Sequence, residues 1–317
     1  ERSRRAAVEA RERGAAGRGA ALLRAALFRR ESALTGTAAG GEVATFGPMS
    51  ERALLLRRAL EQDLAAGGPV LVAFSGGVDS AVVAALAQRS LGTRALAVTA
   101  AAETLSGVEL DQARSLAAEI GIAHEVVTYS ELDDPEYVAN PAWRCYVCQG
   151  MRMGTMVRLA GERGFRRVCD GTNASDPGPD RPGLRAVREQ GVESPLLAHG
   201  ATKDDVRAIA RSLGLTVWDK PANACLSSRI PHGQPVTLGK LRRVERAEGL
   251  LLERGFRIVR VRHDAAGARV EVGHDEVARL ESLWAALLPD LLALGFERAT
   301  FDPAGYRRGG ADLPSGR

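Results

Sequence analysis

The sequence predicts an α/β protein: a doubly wound parallel sheet that carries a nucleotide loop, followed by a smaller C-terminal α/β domain. Three observations predict it. Short apolar runs alternate with helix-length segments from Met49 onward. A glycine loop, Ser75-Gly76-Gly77-Val78-Asp79-Ser80, joins the first apolar run to the next helix. The composition then changes after Arg229, where Ile230-Pro231-His232-Gly233-Gln234-Pro235 reads as a linker.

The elements follow from pattern and punctuation. Glu51 to Ala65 places Ala53, Leu56, Leu60 and Leu64 near one helical face, and Gly67-Gly68-Pro69 ends it. Val70 to Phe74 is a continuously apolar strand of the kind buried in parallel sheets. A helix from about Asp79 to Leu91, a strand from Arg94 to Thr99, a helix from Gly107 to Ile120 and a strand from Ala123 to Thr128 follow. A loop carrying Cys145 and Cys148 then leads to a helix from about Gly150 to Arg163 and a strand from Arg167 to Asp170. Lys203 to Leu213 is helical, with Thr202 as N-cap and Gly214 as stop. Beyond the linker, helices at Thr237–Arg254 and Asp275–Leu294 are interleaved with strands at Phe256–Arg262, Ala268–Val272 and Arg298–Asp302. Residues 49–229 are thus expected to form the nucleotide domain, 236–306 the small domain and 307–317 a flexible tail.

Residues 1–48 are rich in Ala, Gly and Arg without a sustained apolar period, and two readings stand: a disordered tail, or a spurious extension upstream of Met49. Their nine Arg and five Glu account for the whole net charge of +4, which leaves residues 49–317 formally neutral. A phosphate-backbone partner calls for a basic stripe, so no nucleic-acid partner is expected. No apolar run approaches a membrane span, and four cysteines without a secretory leader point to reduced thiols in the cytoplasm.

In the loop, Gly76 and Gly77 let the backbone turn close to a ligand. The loop amides, the Ser75 and Ser80 hydroxyls and the following helix N-terminus form an anion site. Asp79 beside phosphate implies a cation, Mg²⁺. No Gly-Lys-Ser/Thr follows, which excludes a Walker loop, and the dinucleotide glycine fingerprint is absent. The turn Gly171-Thr172-Asn173-Ala174-Ser175-Asp176 follows a strand, where a doubly wound sheet lines its ligand crevice, so Gly171, Asn173 and Asp176 join the candidate site.

Cys145 and Cys148 form a Cys-x-x-Cys that can bind a metal, hold part of an iron–sulfur cluster or exchange as a dithiol. Cys225 lies in Ala-Cys-Leu-Ser-Ser-Arg, where Ser228 and Arg229 suggest a polar crevice, and Arg144 and Arg229 are expected to lower its thiol pKa. Cys169 reads as core. Arg260 and Arg262 alternate along a strand and share a face that suits a substrate phosphate.

The loop at 75–80, the 171–176 turn, Asp180-Arg181-Pro182-Gly183-Leu184 and the segment around Cys225 together resemble one family over about Met49 to Arg308. It is the ATP-dependent sacrificial sulfur transferases known as LarE, within the PP-loop ATP pyrophosphatases. The resemblance implies adenylation by ATP of a carboxyl group on a pyridinium-3,5-dicarboxylate mononucleotide, with release of pyrophosphate, and replacement of the activated oxygen by sulfur in nickel-pincer nucleotide synthesis. It implies a homo-oligomer working with enzymes upstream and downstream. It also implies catalytic roles for Cys225, Ser228, Arg229, Glu248 and Glu271, the last two near substrate and sulfur, though each also reads as a solvated position. The family has two sulfur strategies. Cys225 gives up its own sulfur, or Cys145, Cys148 and Cys225 hold a 4Fe–4S cluster bearing sulfide; the cysteine count favours the cluster. Three rivals remain open: a tRNA-thiolating enzyme, an ammonia-dependent amide ligase and a nucleotide-sensing module.

Overall fold

The computed structural model describes residues 50–176, 181–221, 224–264 and 267–307. The expectations for residues 1–48, for Asp180 and for the tail beyond Arg307 lie outside them. Helix α1 (Glu51–Ala66) begins where the Ser50 hydroxyl accepts the Ala53 amide at 3.2 Å. Strand β1 (Val70–Ala73) feeds through the glycine loop into α2 (Val78–Leu91). Ten residues of α2 are buried, which is why it carries almost no polar face. Strand β2 (Ala95–Ala101) leads to α3 (Gly107–Ile120), capped by Ser106 and closed by Gly121 in the left-handed region. Strand β3 (Ala123–Thr128), the single turn α4 (Pro135–Val138), α5 (Arg144–Arg163) and β4 (Arg167–Cys169) complete the sheet. Three helices follow, α6 (Pro182–Glu189), α7 (Pro195–Ala198) and α8 (Lys203–Ser212).

The sheet order is β3-β2-β1-β4, every pair parallel, with Val70 in register with both Ala95 and Arg167. Alternation along β1 serves two cores. Val70 and Val72 pack on the α1, α2, α3 and α8 side, and Leu71 packs on Met153, Met156 and Ala160 of α5. The chain reverses its winding between β1 and β4, so the crevice at the carboxyl edge opens beside the glycine loop.

The second sheet holds β5 (Val259–Asp264), β6 (Gly267–Val272) and β7 (Arg298–Phe301), covered by α9 (Leu238–Glu253) and α10 (Val277–Ala293). β5 and β6 are antiparallel and β6 and β7 parallel. Its own core includes Leu251, Val261, Val270, Leu280 and Leu291. Most expected elements appear within a few residues of their sequence boundaries. The main correction concerns Cys145 and Cys148. They lie in the first two turns of α5, not in a loop before it, because the helix starts six residues earlier than expected.

One buried histidine in the second sheet is expected to make stability depend on pH. His263 on β5 is 2% exposed, and neither ring nitrogen has a hydrogen-bond partner among the described residues. Burial, then Lys240 and Arg243, pulls its pKa from 6.5 to about 4, against Asp264. The folded chain therefore takes up this proton less readily than the unfolded chain. The contribution is fully present above pH 6.5 and is lost as pH falls through about 4. Denaturant midpoints measured between these values should fall with pH, and His263→Leu should flatten that slope.

Candidate functional site at the carboxyl edge of the sheet

The nucleotide loop is built by its own hydroxyls. Ser75 N donates to Ser80 Oγ at 3.2 Å, Ser80 Oγ donates to the Gly77 carbonyl at 3.2 Å, and Gly77 N reaches Ser75 Oγ at 3.4 Å. Gly76 has φ +70°, and a Cβ there would stand 3.0 Å from Ala113 Cα. Gly171 is required by contact: its Cβ would sit 2.6 Å from the Ser80 amide nitrogen. The turn after β4 therefore presses directly on the loop after β1. Asn173 crosses the same gap and donates to Asp79 Oδ1 at 3.2 Å, while Asp176 Oδ2 accepts the Asn173 amide at 3.0 Å.

Two groups that the sequence reading did not select complete this half. Lys203 Nζ lies 2.5 Å from Asp79 Oδ2, and Lys220 Nζ donates to the Gly76 carbonyl at 3.2 Å and to Gln112 at 2.7 Å. Burial pulls the Lys220 pKa down, against the opposing charge of Glu109. The cation beside Asp79 in this structure is thus an ammonium. A signal was available: the chain has three lysines among 43 basic residues, and two of the three stand at the loop. A compact ammonium suits a phosphate oxygen where a planar guanidinium is bulkier.

The Cys225 segment is anchored at the same edge. Leu226 N donates to the Thr104 carbonyl, just past β2, at 3.1 Å. Arg229, 1% exposed, makes paired bonds to Glu248 (Nε to Oε1 2.8 Å, Nη2 to Oε2 2.9 Å) and donates to the Cys225 carbonyl at 2.9 Å and Ser228 Oγ at 3.0 Å. Glu248 Oε1 also accepts the Val261 amide at 2.9 Å. Glu271 is buried and grips Arg262, which donates onward to the Ser228 carbonyl at 3.1 Å. The two glutamates are therefore interior ion-pair members, not solvated positions. Arg260 and Arg262 do share a face, over the Tyr306 ring at 5.1 and 5.9 Å. They differ in commitment. Arg262 is held by Glu271, whereas Arg260 donates to the Val259 carbonyl and forms no ion pair among the described residues.

Cys225 is half-buried, and burial raises its thiol pKa despite the attraction of Arg144. This corrects the expectation of a lowered pKa. The arginines are present, but Arg229 is neutralised by Glu248 and desolvation outweighs Arg144. Cys145 is exposed, and Cys148 is buried with Sγ donating to Glu131 Oε1 at 2.9 Å. Cys169 is core. Among the described residues no group of three or more His, Cys, Asp or Glu stands close enough to hold a metal ion. The electrostatics couple Cys225 to both Cys145 and Cys148, so the three thiols lie near one another.

Asn140 sets the path of the chain from Cys225 towards α9. It adopts φ +56°, is fully buried, and its Nδ2 donates to the carbonyls of Pro231 at 2.7 Å and Gln234 at 2.8 Å. Its Oδ1 accepts from Arg144, which also binds the Ser227 carbonyl at 3.1 Å. Asn140→Ala should leave buried carbonyls unpaired and lower unfolding free energy by about 3 kcal/mol. Asn140→Asp should be no better in chemical denaturation, since a carboxylate cannot donate to those carbonyls.

Comparison with known proteins agrees with this geometry. The asparagine synthase family profile matches residues 52–162. An uncharacterised Synechocystis protein is 42% identical over 75% of this chain and 90% of its own length. The pyridinium-3,5-bisthiocarboxylic acid mononucleotide synthase of Lactiplantibacillus plantarum is 36% identical over 76% of this chain and 87% of its own. A tRNA-specific 2-thiouridylase of Rhodospirillum rubrum is 32% identical, over 49% of this chain and 51% of its own. No helix among the described residues is long and apolar enough to cross a membrane.

Proposed function

Starting from a chain that belongs to the pyridinium-3,5-bisthiocarboxylic acid mononucleotide synthase family, we propose that it uses ATP to convert a carboxylate of a pyridinium-3,5-dicarboxylate mononucleotide into a thiocarboxylate. The observation that carries this reading is the shared carboxyl edge. The anion-binding loop follows β1, and the Cys225 segment is bonded to the backbone just past β2, its neighbour in the sheet.

The chemistry divides between the two halves. The loop amides, Ser75, Ser80, Lys203 and Lys220 hold the β- and γ-phosphates, so that the substrate carboxylate displaces pyrophosphate at the α-phosphorus. Asp79 suits a Mg²⁺ ion, which would neutralise phosphate charge, since Mg²⁺ takes one or two carboxylates and completes its shell with phosphate and water. Arg260, buried and without an ion-pair partner among the described residues, receives the phosphate of the mononucleotide. Cys225 then attacks the acyl adenylate and AMP leaves. Loss of its Cα proton breaks the Cβ–S bond, delivering the sulfur as a thiocarboxylate and leaving dehydroalanine at position 225. Arg229 and Glu248 position this segment without touching the reacting atoms.

The decisive experiment is the intact mass of the protein before and after turnover with ATP, Mg²⁺ and the dicarboxylate, with the thiolated product followed in the same run. Product accompanied by loss of one H₂S from Cys225 is the expected result. Product with an unchanged polypeptide mass would show that the sulfur came from an external carrier. Lys203→Ala and Lys220→Ala should each raise the KM for ATP about tenfold, the loss of one charged hydrogen bond, measured by pyrophosphate release.

A further inference from the structure

Three neighbouring strands bring one side chain each to the root of the nucleotide loop, and no step of the sulfur transfer uses any of the three. Val72, Ala97 and His124 stand in register across β1, β2 and β3. Two residues further along, Phe74 and Thr99 share their face of the sheet, the one that packs on α2 and α3. The three side chains meet there. The Phe74 and His124 rings lie edge to face, with centroids 5.7 Å apart. Thr99, 2% exposed, donates its hydroxyl to the Phe74 carbonyl at 2.7 Å, and the same oxygen lies 2.8 Å from His124 Nε2.

A count of protons fixes the direction of these bonds. A hydroxyl carries one proton, and Thr99 directs it to Phe74, so His124 Nε2 is the donor in the second bond. Burial, then the charge of Arg114 on α3, pulls the His124 pKa below its ordinary value. The ring is therefore uncharged at pH 7, with its one N–H on Nε2. This chain of donors ends on the first peptide of the loop, which joins Phe74 to Ser75. The other end of that peptide is held as well, since Ser75 N donates to Ser80 Oγ at 3.2 Å. The Phe74 amide is itself tied to the Val98 carbonyl at 2.8 Å.

We propose that His124 and Thr99 are positioning residues for the nucleotide loop. His124 orients the Thr99 hydroxyl, and Thr99 holds the Phe74 carbonyl on the β2 side, so the loop meets phosphate with its amides and not with that carbonyl. A peptide free to turn would aim the partial negative charge of its oxygen at an anion. This role rests on the reading that the loop holds the β- and γ-phosphates of ATP. It sets the preference for ATP over AMP, which lacks those two phosphates, and leaves the affinity for AMP itself unchanged.

The test is calorimetric titration of the full chain with Mg²⁺-ATP and, separately, with AMP. Wild-type protein should bind ATP more tightly than AMP. Thr99→Val keeps the side-chain shape and removes the donor, and it should weaken ATP binding about tenfold with AMP unchanged. Thr99→Ser should restore the ATP affinity. His124→Leu should weaken ATP binding about threefold, and His124→Gln, whose amide can donate to the same hydroxyl, should restore it. Because His124 acts only through Thr99, the double variant Thr99→Val/His124→Leu should bind ATP no more weakly than Thr99→Val alone. Additive losses, an equal loss for AMP and ATP, or an unchanged ATP affinity in Thr99→Val would overturn the proposal while the wild type still prefers ATP. A wild type that prefers neither nucleotide would instead overturn the phosphate assignment of the loop, and this role with it.

Discussion

A guanidinium withdrawn from water must meet a counter-charge and fill its donors, or it destabilises the fold by several kcal/mol. Arg229 is in that position, and the way it is satisfied fixes the middle of the molecule. Its paired bonds to Glu248 tie the Cys225 segment to α9, and its bond to the Cys225 carbonyl holds the backbone of Cys225 itself. Glu248 has an oxygen left for the Val261 amide, which draws β5 into the same junction. Arg262 and Glu271 repeat the device one layer out, and Arg262 donates further to the carbonyls of Ser228 and Arg307. A hydrophobic junction of equal volume could be as stable. It would not specify where the Cys225 backbone lies, because apolar contacts carry little directional information.

The β2–α3 connection links this junction to the nucleotide loop. The Thr104 carbonyl holds Leu226, and the Gly107 amide at the start of α3 donates to Glu245 of α9 at 2.8 Å. On the same helix, Gln112 accepts from Lys220, whose other bond goes to the Gly76 carbonyl. Thr104 also donates to Glu131, so a single residue touches both the Cys225 strand of contacts and the Cys148 acid. Glu109, in the first turn of α3, acts electrostatically on both Lys220 and Arg229. A shift of α3 would therefore be felt at the Gly76 loop and at the Cys225 segment together.

How much of this was legible in the sequence depended on whether the determinant was local. Ser106 and Gly121 bracket α3 with a cap and a left-handed stop, and the helix lies where those two residues put it. The nucleotide loop is likewise local, six consecutive residues between an apolar strand and a helix. Helix α5 begins at Arg144 with Trp143 at its N-cap and no capping side chain, so nothing in the local sequence announces it. Its start depends instead on Asn140, whose left-handed backbone and bonds to residues 231 and 234 are long-range facts. The unseen site residues share this property. Lys203 and Lys220 are more than a hundred residues from the loop they serve, and Glu131 is one acid in an acidic stretch until Cys148 and Arg152 fold over it.

The three thiols show the same limit in chemical form. Sequence supplies their count and spacing, and a count of three suits a cluster with one open iron. What separates them is environment. Cys145 faces solvent, Cys148 faces a buried carboxylate, and Cys225 is half-buried with its carbonyl gripped by Arg229. Cys148 is set apart by Glu131, whose carboxylate accepts from its Sγ, while the electrostatics of Cys225 reach both other thiols.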